Sequence, residues 1–207
     1  MLYDITPPVT AALAVWPGDT PPSREVLLDM RRGDNITLST LRATVHLGAH
    51  ADAPNHYAAE AAAIDERPLT RYLGPARVVR VDVERGTRIL PDRVPAQLDC
   101  ERVLLATGTF PDPTEFNRDF AALSADLVQT LHARGVTLVG IDTPSVDLFE
   151  SKELPAHNAC LRHDLAILEG LVLDGVPEGL YELIALPLRL VGFDASPVRA
   201  VLRTLRG

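Results

Sequence analysis

The chain has 207 residues, of which 46% are hydrophobic and 23% charged, which predicts one substantial core and excludes wholesale disorder. The formal net charge is −8 and no run of basic residues is present, so a nucleic-acid partner is not expected. The sequence also lacks an apolar run long enough for a membrane span and a secretory signal at its start, which predicts a soluble cytoplasmic protein.

Short β-branched or apolar runs predict four strands, which in chain order span residues 77–83, 102–107, 136–141 and 181–186. One helix is predicted between the second and the third of these strands. Ser124 can cap this helix, Leu127 and Leu131 belong to its apolar stripe, and Gly135 ends it. The third strand is then expected to begin directly after the glycine.

No linker, repeat or low-complexity tract interrupts the chain, so a single domain over residues 1–207 is predicted. The order of strands and helix favours an α/β fold with a mixed sheet. Long loops near residues 6–24 and 142–155 argue against simple double winding. Cys100 and Cys160 have no close cysteine partner, so both are expected to be reduced, mostly buried thiols without a chemical role.

Three of the six histidines fall between residues 46 and 56. Here His46, His50, Asp52 and His56 occupy even positions, whereas the odd positions from 45 to 53 are all apolar. In an extended chain, one face would therefore be buried and the other would carry imidazoles and a carboxylate. A helix cannot gather these groups, because Asp52 would fall about 240° around the axis from His46.

A straight strand is insufficient as well, because four residues would separate His46 from His50 by roughly 13 Å. The segment must bend, and Gly48 allows a bend, while Pro54 stops the strand pattern. Imidazole nitrogen and carboxylate oxygen are ligands that zinc and similar ions prefer, and Asp52 could give one oxygen to each of two ions. The segment therefore predicts a metal site that leaves positions for water. A surface strand with solvated histidines is the alternative.

His157 and Glu169, in a second polar stretch, are the natural additional ligands. By themselves they are weak candidates, because an isolated histidine or glutamate is usually a surface residue. His132 and His163 receive that surface interpretation. His132 lies near the end of the predicted helix, where an imidazolium is favourable without any ligand role.

The segment His46 to His56, HLGAHADAPNH, resembles the HxGTHxDxPxH signature of the cyclase-like metal hydrolases, with Ala49 in place of the threonine. Within that superfamily the chain resembles the bacterial kynurenine formamidases, a branch that tolerates the alanine. The resemblance extends over nearly the full length, through the stretches 3–5, 15–19, 140–147 and 167–171. The eleven-residue motif is specific, and the other stretches narrow the subfamily.

The resemblance implies an α/β domain of the swivelling β/β/α type, with a mixed sheet core flanked by helices, that forms a homodimer. It also implies two zinc ions per subunit, with manganese or another divalent ion as an alternative. His46 and His50 would hold the first ion and His157 the second, and Asp52 and Glu169 would bridge them.

The same resemblance implies that His56 is the acid/base catalyst and that Trp16 contacts the substrate. The implied substrate is a small aryl formamide, and the reaction is hydrolysis of N-formyl-L-kynurenine to L-kynurenine and formate in tryptophan breakdown. Two alternatives stay open. One is a related hydrolase of another cyclic or aryl amide such as isatin, and the other is a metal-binding protein without catalysis. Neither nucleic acid nor membrane is expected as a partner.

Overall fold

A computed structural model describes residues 1–205 of the chain. Its strands are β1 (Leu2–Asp4), β2 (Ser23–Leu28), β3 (Leu38–Arg42), β4 (His50–Asp52), β5 (Leu73–Arg80), β6 (Arg88–Ile89), β7 (Arg102–Ala106), β8 (Ala122–Leu123), β9 (Leu138–Ile141), β10 (Ala166–Glu169), β11 (Gly179–Ile184), β12 (Ala195–Pro197) and β13 (Val201–Thr204). The helices are α1 (Ala125–Ala133) and α2 (Pro155–His163). Short 3-10 turns connect several of these elements, including one at Pro54–His56.

Nine strands form one mixed sheet in the order β1-β13-β11-β5-β7-β9-β10-β4-β12. The central strands β5, β7, β9 and β10 are parallel, and the strands on either side pair antiparallel. Strands β7, β9 and β10 are buried along their whole length, as expected for parallel strands covered on both faces. The arrangement confirms the predicted α/β fold with a mixed sheet.

Both α-helices pack on the same face of the sheet and contact each other. Helix α1 begins as predicted, because the Ser124 hydroxyl accepts a hydrogen bond from the Leu127 amide at 3.0 Å. It ends at Ala133, and Gly135 follows with a φ of +84°. Helix α2 is absent from the sequence prediction. Its first residue is Pro155, a favourable first helical position because proline has no amide hydrogen to satisfy.

The four predicted strands are present with shifted ends, as β5, β7, β9 and β11. The third begins at Leu138 rather than at Val136, because the Val136 amide still donates to the Leu131 carbonyl of α1 at 3.0 Å. The first begins earlier than predicted, since Leu73 and its neighbours pair with β11. Residues 6–22 and 142–154 contain no strand or helix, which agrees with the predicted loops.

Strands β2 and β3 form a separate two-stranded sheet whose residues are almost all exposed. Among the described residues, no helix has the length and the apolar character that a membrane span requires. Cys100 and Cys160 are both free thiols in the described part of the chain, in line with the prediction. Cys160 is buried and Cys100 is half-buried.

Candidate metal centre

The segment predicted to be extended is bent at Gly48, which has a φ of +55°. A side chain there would be strained, and its Cβ would lie 2.9 Å from the Pro7 ring. Beyond the bend, β4 directs His50 and Asp52 to one face of the sheet, while Ala51 between them is buried in the core on the other face. The predicted alternation therefore holds within β4, whereas His46 precedes the bend and His56 lies in the 3-10 turn Pro54–His56.

Strand β10 places Glu169 directly opposite His50 in the antiparallel pairing of β10 with β4. Opposite residues have their Cβ atoms about 4.5–5.5 Å apart, so their side chains meet. His50 Nε2 lies 3.3 Å from Glu169 Oε2 and 3.3 Å from Asp52 Oδ1. The next residue, Gly170, allows this close approach, because a Cβ there would fall 2.1 Å from the Gly48 carbonyl oxygen.

The bend and helix α2 bring the two remaining histidines to the same carboxylates. His46 Nδ1 lies 3.1 Å from Asp52 Oδ1. His157, in the first turn of α2, has Nε2 at 3.5 Å from Asp52 Oδ2 and 3.6 Å from Glu169 Oε1. All five residues that were expected to be ligands thus converge on one point.

Each of the three histidines directs its other ring nitrogen to an acceptor. These acceptors are Gly48 O for His50 (2.9 Å), Asp147 Oδ2 for His157 (2.9 Å) and Asp194 Oδ2 for His46 (3.0 Å). Such hydrogen bonds fix the orientation of an imidazole and leave the opposite nitrogen free to bind a metal. The three rings are therefore held with one nitrogen toward the cluster of carboxylates.

The buried polar atoms in the cluster fit a divalent cation. Both Asp52 oxygens and His50 Nε2 are buried without a hydrogen-bond partner, although an unpaired buried polar group is costly. Two groups of side chains have ligand atoms within 4.8 Å of one another: His50, Asp52 and Glu169, and His46, Asp52 and His56. Nitrogen and carboxylate donors in this combination suit zinc and similar ions. The second group also makes a ligand role for His56 geometrically feasible.

The buried carboxylates of the cluster also favour positive charge beside them. Burial opposes the charging of His50 and His157, but the adjacent carboxylates outweigh it and raise the pKa of each imidazole to about 10. Burial would raise the pKa of Asp52, yet the adjacent imidazoles of His157, His46 and His50 hold that pKa well below its usual range. Positive charge beside these buried carboxylates is therefore favourable, and a bound divalent ion would supply it.

His56 lies at the rim of the cluster, at the end of the 3-10 turn that begins with Pro54. Its ring centroid is 4.2 Å from that of His46, and its Nδ1 lies 3.5 Å from Asp194 Oδ2. Burial lowers the pKa of His56 below its usual value, despite the opposing effect of Asp52. A neutral imidazole therefore faces the adjoining cavity at neutral pH.

The cavity has a volume of about 740 Å³ and extends from the histidines to the loop that carries Trp16. The Trp16 ring stacks on Phe149, with the centroids 4.9 Å apart and the planes at 29°. Four of the five phenylalanines belong to this aromatic cluster: Phe110, Phe116, Phe120 and Phe149. Trp16, Phe110 and Phe116 line the cavity, so the indole is half-buried in a wall of the cavity.

Sequence reasoning assigned no role to Asp147, Asp194 or the phenylalanines of this wall. Asp147 lies in the stretch 140–147 that supports the resemblance. The sequence therefore drew attention to this position but did not indicate what the residue does. Asp194 precedes β12, and its surroundings in the sequence contain no metal-site pattern. Only the pairing of β12 with β4 brings Asp194 next to His46.

The family model for cyclases matches residues 3–148, which is well over half of the chain and includes the segment from His46 to His56. The chain belongs to the Cyclase family. This result agrees with the sequence resemblance at the level of the cyclase-like superfamily.

Several solved structures resemble this chain over almost its whole length. A protein described as a predicted metal-dependent hydrolase, from Bacillus stearothermophilus, is 30% identical with a TM-score of 0.81, covering 98% of this chain and 97% of that one. A potential metal-dependent hydrolase with cyclase activity is 29% identical with a TM-score of 0.84, covering 98% and 96%. Isatin hydrolase A from Labrenzia aggregata, at 20% identity, shares the fold with a TM-score of 0.84, covering 100% and 94%.

Proposed function

We propose that this protein is a metal-dependent hydrolase that cleaves N-formyl-L-kynurenine to L-kynurenine and formate. The observation that carries the proposal is the convergence of three imidazoles and two buried carboxylates at one end of a cavity with an aromatic wall. The relatives at 29% and 30% identity, both described as metal-dependent hydrolases, support the reaction class. The kynurenine formamidase resemblance of the sequence supports the substrate.

The proposed ligand set divides between two ions. His46 and His50 would hold the first ion and His157 the second, with Asp52 and Glu169 shared between them. When bound, zinc or a similar divalent ion would lower the pKa of water and polarise the formyl carbonyl. The histidines would bind through the nitrogens that face Asp52 and Glu169, because their other nitrogens are already engaged in hydrogen bonds.

We assign proton transfer to His56. Cleavage of the C–N bond releases an aryl amine, whose nitrogen must gain a proton as the bond breaks. An imidazole can take a proton from the attacking water and return it to that nitrogen. The His56 ring faces the cavity beside His46, and its lowered pKa keeps the neutral, proton-accepting form abundant at neutral pH.

The aromatic wall is suited to the planar ring of the substrate. Trp16, Phe110 and Phe116 line the cavity on one side, and Phe149 supports the indole from behind. Offset or edge-to-face contacts with an arene contribute about 0.5–1.5 kcal/mol beyond burial. The cavity of about 740 Å³ also leaves room for the amino-acid tail of N-formyl-L-kynurenine.

Isatin is the second candidate substrate. Two isatin hydrolases share the fold over 97% and 100% of this chain, and isatin is also a planar aryl amide. The same site would open its ring by attack on the ring amide. Isatin has no amino-acid tail, so it would fill less of the cavity.

The deciding experiment follows the hydrolysis of N-formyl-L-kynurenine and isatin by absorbance, using purified protein with Zn²⁺ and with a chelator. We expect a higher kcat/KM for N-formyl-L-kynurenine, loss of activity with the chelator, and loss of turnover in His56→Ala. The matched control is His132→Ala, an exposed histidine on α1 away from the cavity, which should keep wild-type activity. A higher kcat/KM for isatin would favour the second candidate, and no hydrolysis by metal-loaded protein would indicate a binding role.

A further inference from the structure

Asp147 is a fully buried carboxylate that lies behind His157, on the side of the ring away from Asp52 and Glu169. Its oxygens accept hydrogen bonds from the His157 ring Nδ1 at 2.9 Å and from the His157 amide at 3.0 Å. They also accept from the amide of Ala156 at 3.1 Å. A buried carboxylate is costly without such donors, so its placement beside this ring needs an explanation.

The same carboxylate caps the helix that carries the ring. The residue before α2, Leu154, has a left-handed φ of 43° and provides no side-chain cap. Asp147 instead satisfies the amides of Ala156 and His157, two of the donors that a helix start leaves without partners. The first turn of α2 and the imidazole in that turn are thus fixed by a single side chain.

Arg88 in turn holds the carboxylate in place. Its Nη1 donates to Asp147 Oδ1 at 2.7 Å and to the Leu123 carbonyl at 2.7 Å, and its Nη2 donates to Ser151 Oγ at 3.3 Å. The guanidinium therefore ties the carboxylate to strand β8 and to the loop before α2. Asp147 is held in position by groups that do not belong to the metal centre.

We propose that Asp147 is the positioning residue of His157 and sets the affinity of the His157 half of the site for its divalent ion. By accepting the Nδ1 hydrogen, Asp147 holds Nε2 toward Asp52 and Glu169. The inference rests on the proposed function, because it takes His157 as a metal ligand. Loss of an outer partner of a ligating histidine typically costs about 10–100-fold in metal affinity.

The test is the Zn²⁺ affinity of Asp147→Asn, measured by competition with a chromophoric chelator. Asparagine keeps the size and one acceptor oxygen but loses the charge and the second acceptor. We expect Zn²⁺ to bind roughly 10–100-fold more weakly. The matched control is Asp142→Asn, a buried carboxylate of the same loop whose oxygens bond Thr107 and Gly108. It should retain wild-type Zn²⁺ affinity.

A double-mutant cycle with His157→Ala tests whether Asp147 affects Zn²⁺ binding through His157. If Asp147 acts through the ring, Asp147→Asn should cause no further loss of Zn²⁺ affinity once His157 is alanine. The same loss in both backgrounds would show that Asp147 affects the site independently of His157 and would overturn the inference. Wild-type affinity in the single variant would overturn it as well.

An alternative variant and a binding measurement without substrate complete the test. If Asp147→Asn does not fold, Asp147→Glu keeps the charge beside Arg88 but moves the carboxylate, and it should show the same loss of affinity; wild-type affinity would contradict the inference. Zn²⁺ binding is measured without substrate, so a wild-type protein that binds Zn²⁺ but hydrolyses neither substrate overturns the proposed function alone. A wild-type protein that binds no Zn²⁺ overturns both.

Discussion

The two halves of the candidate metal centre are built in different ways. One half, which we call the segment half, consists of His46, His50 and Asp52, and it comes from a single stretch of chain bent at Gly48. The other, the assembled half, joins His157 of α2 with Glu169 of β10. The segment half depends on local backbone geometry, whereas the assembled half depends on which strands become neighbours.

The two halves depend on different features of the fold. In the segment half, apolar and polar residues alternate along β4. Burial of the apolar face, which includes Ala51, in the core fixes the face on which the ligands lie. The assembled half requires β10 to pair with β4 in one register, because a slip of one residue would turn Glu169 to the opposite face. Asp52 belongs to the first half but also contacts His157 of the second.

The largest effect should follow from Asp52→Asn, because this residue is shared by the two halves. Asparagine keeps the size but removes the charge and one carboxylate oxygen, so neither half would retain its ion. Activity should fall by more than the roughly 10²–10⁴-fold that a general acid or base contributes. Elemental analysis and turnover check this, with the exposed Asp92→Asn as the matched control. Retention of full metal content would contradict the sharing of Asp52.

Removing one histidine from each half should sharpen the comparison. His50→Ala should lose metal and activity together, because a coordinating imidazole disappears. His157→Ala should lose the ion of the assembled half while the segment half still binds metal. Metal content and turnover, measured on the same samples, distinguish the two variants. If either variant keeps wild-type metal content, the corresponding half is wrongly assigned.

His56→Ala should separate catalysis from metal binding. The variant should keep its metal, because the five proposed ligands remain, and lose roughly 10²–10⁴-fold in turnover through the missing proton transfer. Metal content and kcat are the measurements. Loss of metal would instead place His56 in the ligand set with His46 and Asp52, a grouping that the distances allow.

The smallest effect concerns the aromatic wall. Trp16→Ala should raise KM roughly three- to tenfold with metal content intact, because stacking on an arene stabilises ground state and transition state alike. Phe193→Ala, at an exposed phenylalanine outside the cavity, is the matched control and should leave KM unchanged. An unchanged KM together with a large fall in Tm would show that Trp16 fills the core instead.

The same division explains how much the sequence could predict. The alternation of His50 and Asp52 about Ala51 and the need for a bend at Gly48 follow from local geometry, and the structure has both. The strands β5, β7, β9 and β11 and the Ser124 cap of α1 were predictable for the same reason, apart from their ends. Short sequence patterns are therefore sufficient to predict these elements.

The remainder depends on contacts between distant parts of the chain. His157 and Glu169 were candidates from their own polar stretch, but an isolated histidine or glutamate is a weak candidate, and the family resemblance was needed to assign them ligand roles. Asp147 and Asp194 become partners of His157 and His46 through the folded arrangement of α2 and β12, so no local pattern assigned them roles. Helix α2 escaped prediction because its N-cap residue, Leu154, offers no side-chain cap, and its first turn is capped instead by the carboxylate of Asp147 in the preceding loop.

The central claim is that both halves form one metal-dependent hydrolytic site. Its most direct test removes metal with a chelator, restores Zn²⁺ in measured steps, and follows N-formyl-L-kynurenine hydrolysis against bound zinc in the same sample. We predict no activity without metal and full activity as bound zinc approaches about two ions per chain. Full hydrolytic activity in protein that contains no bound divalent metal would contradict the claim.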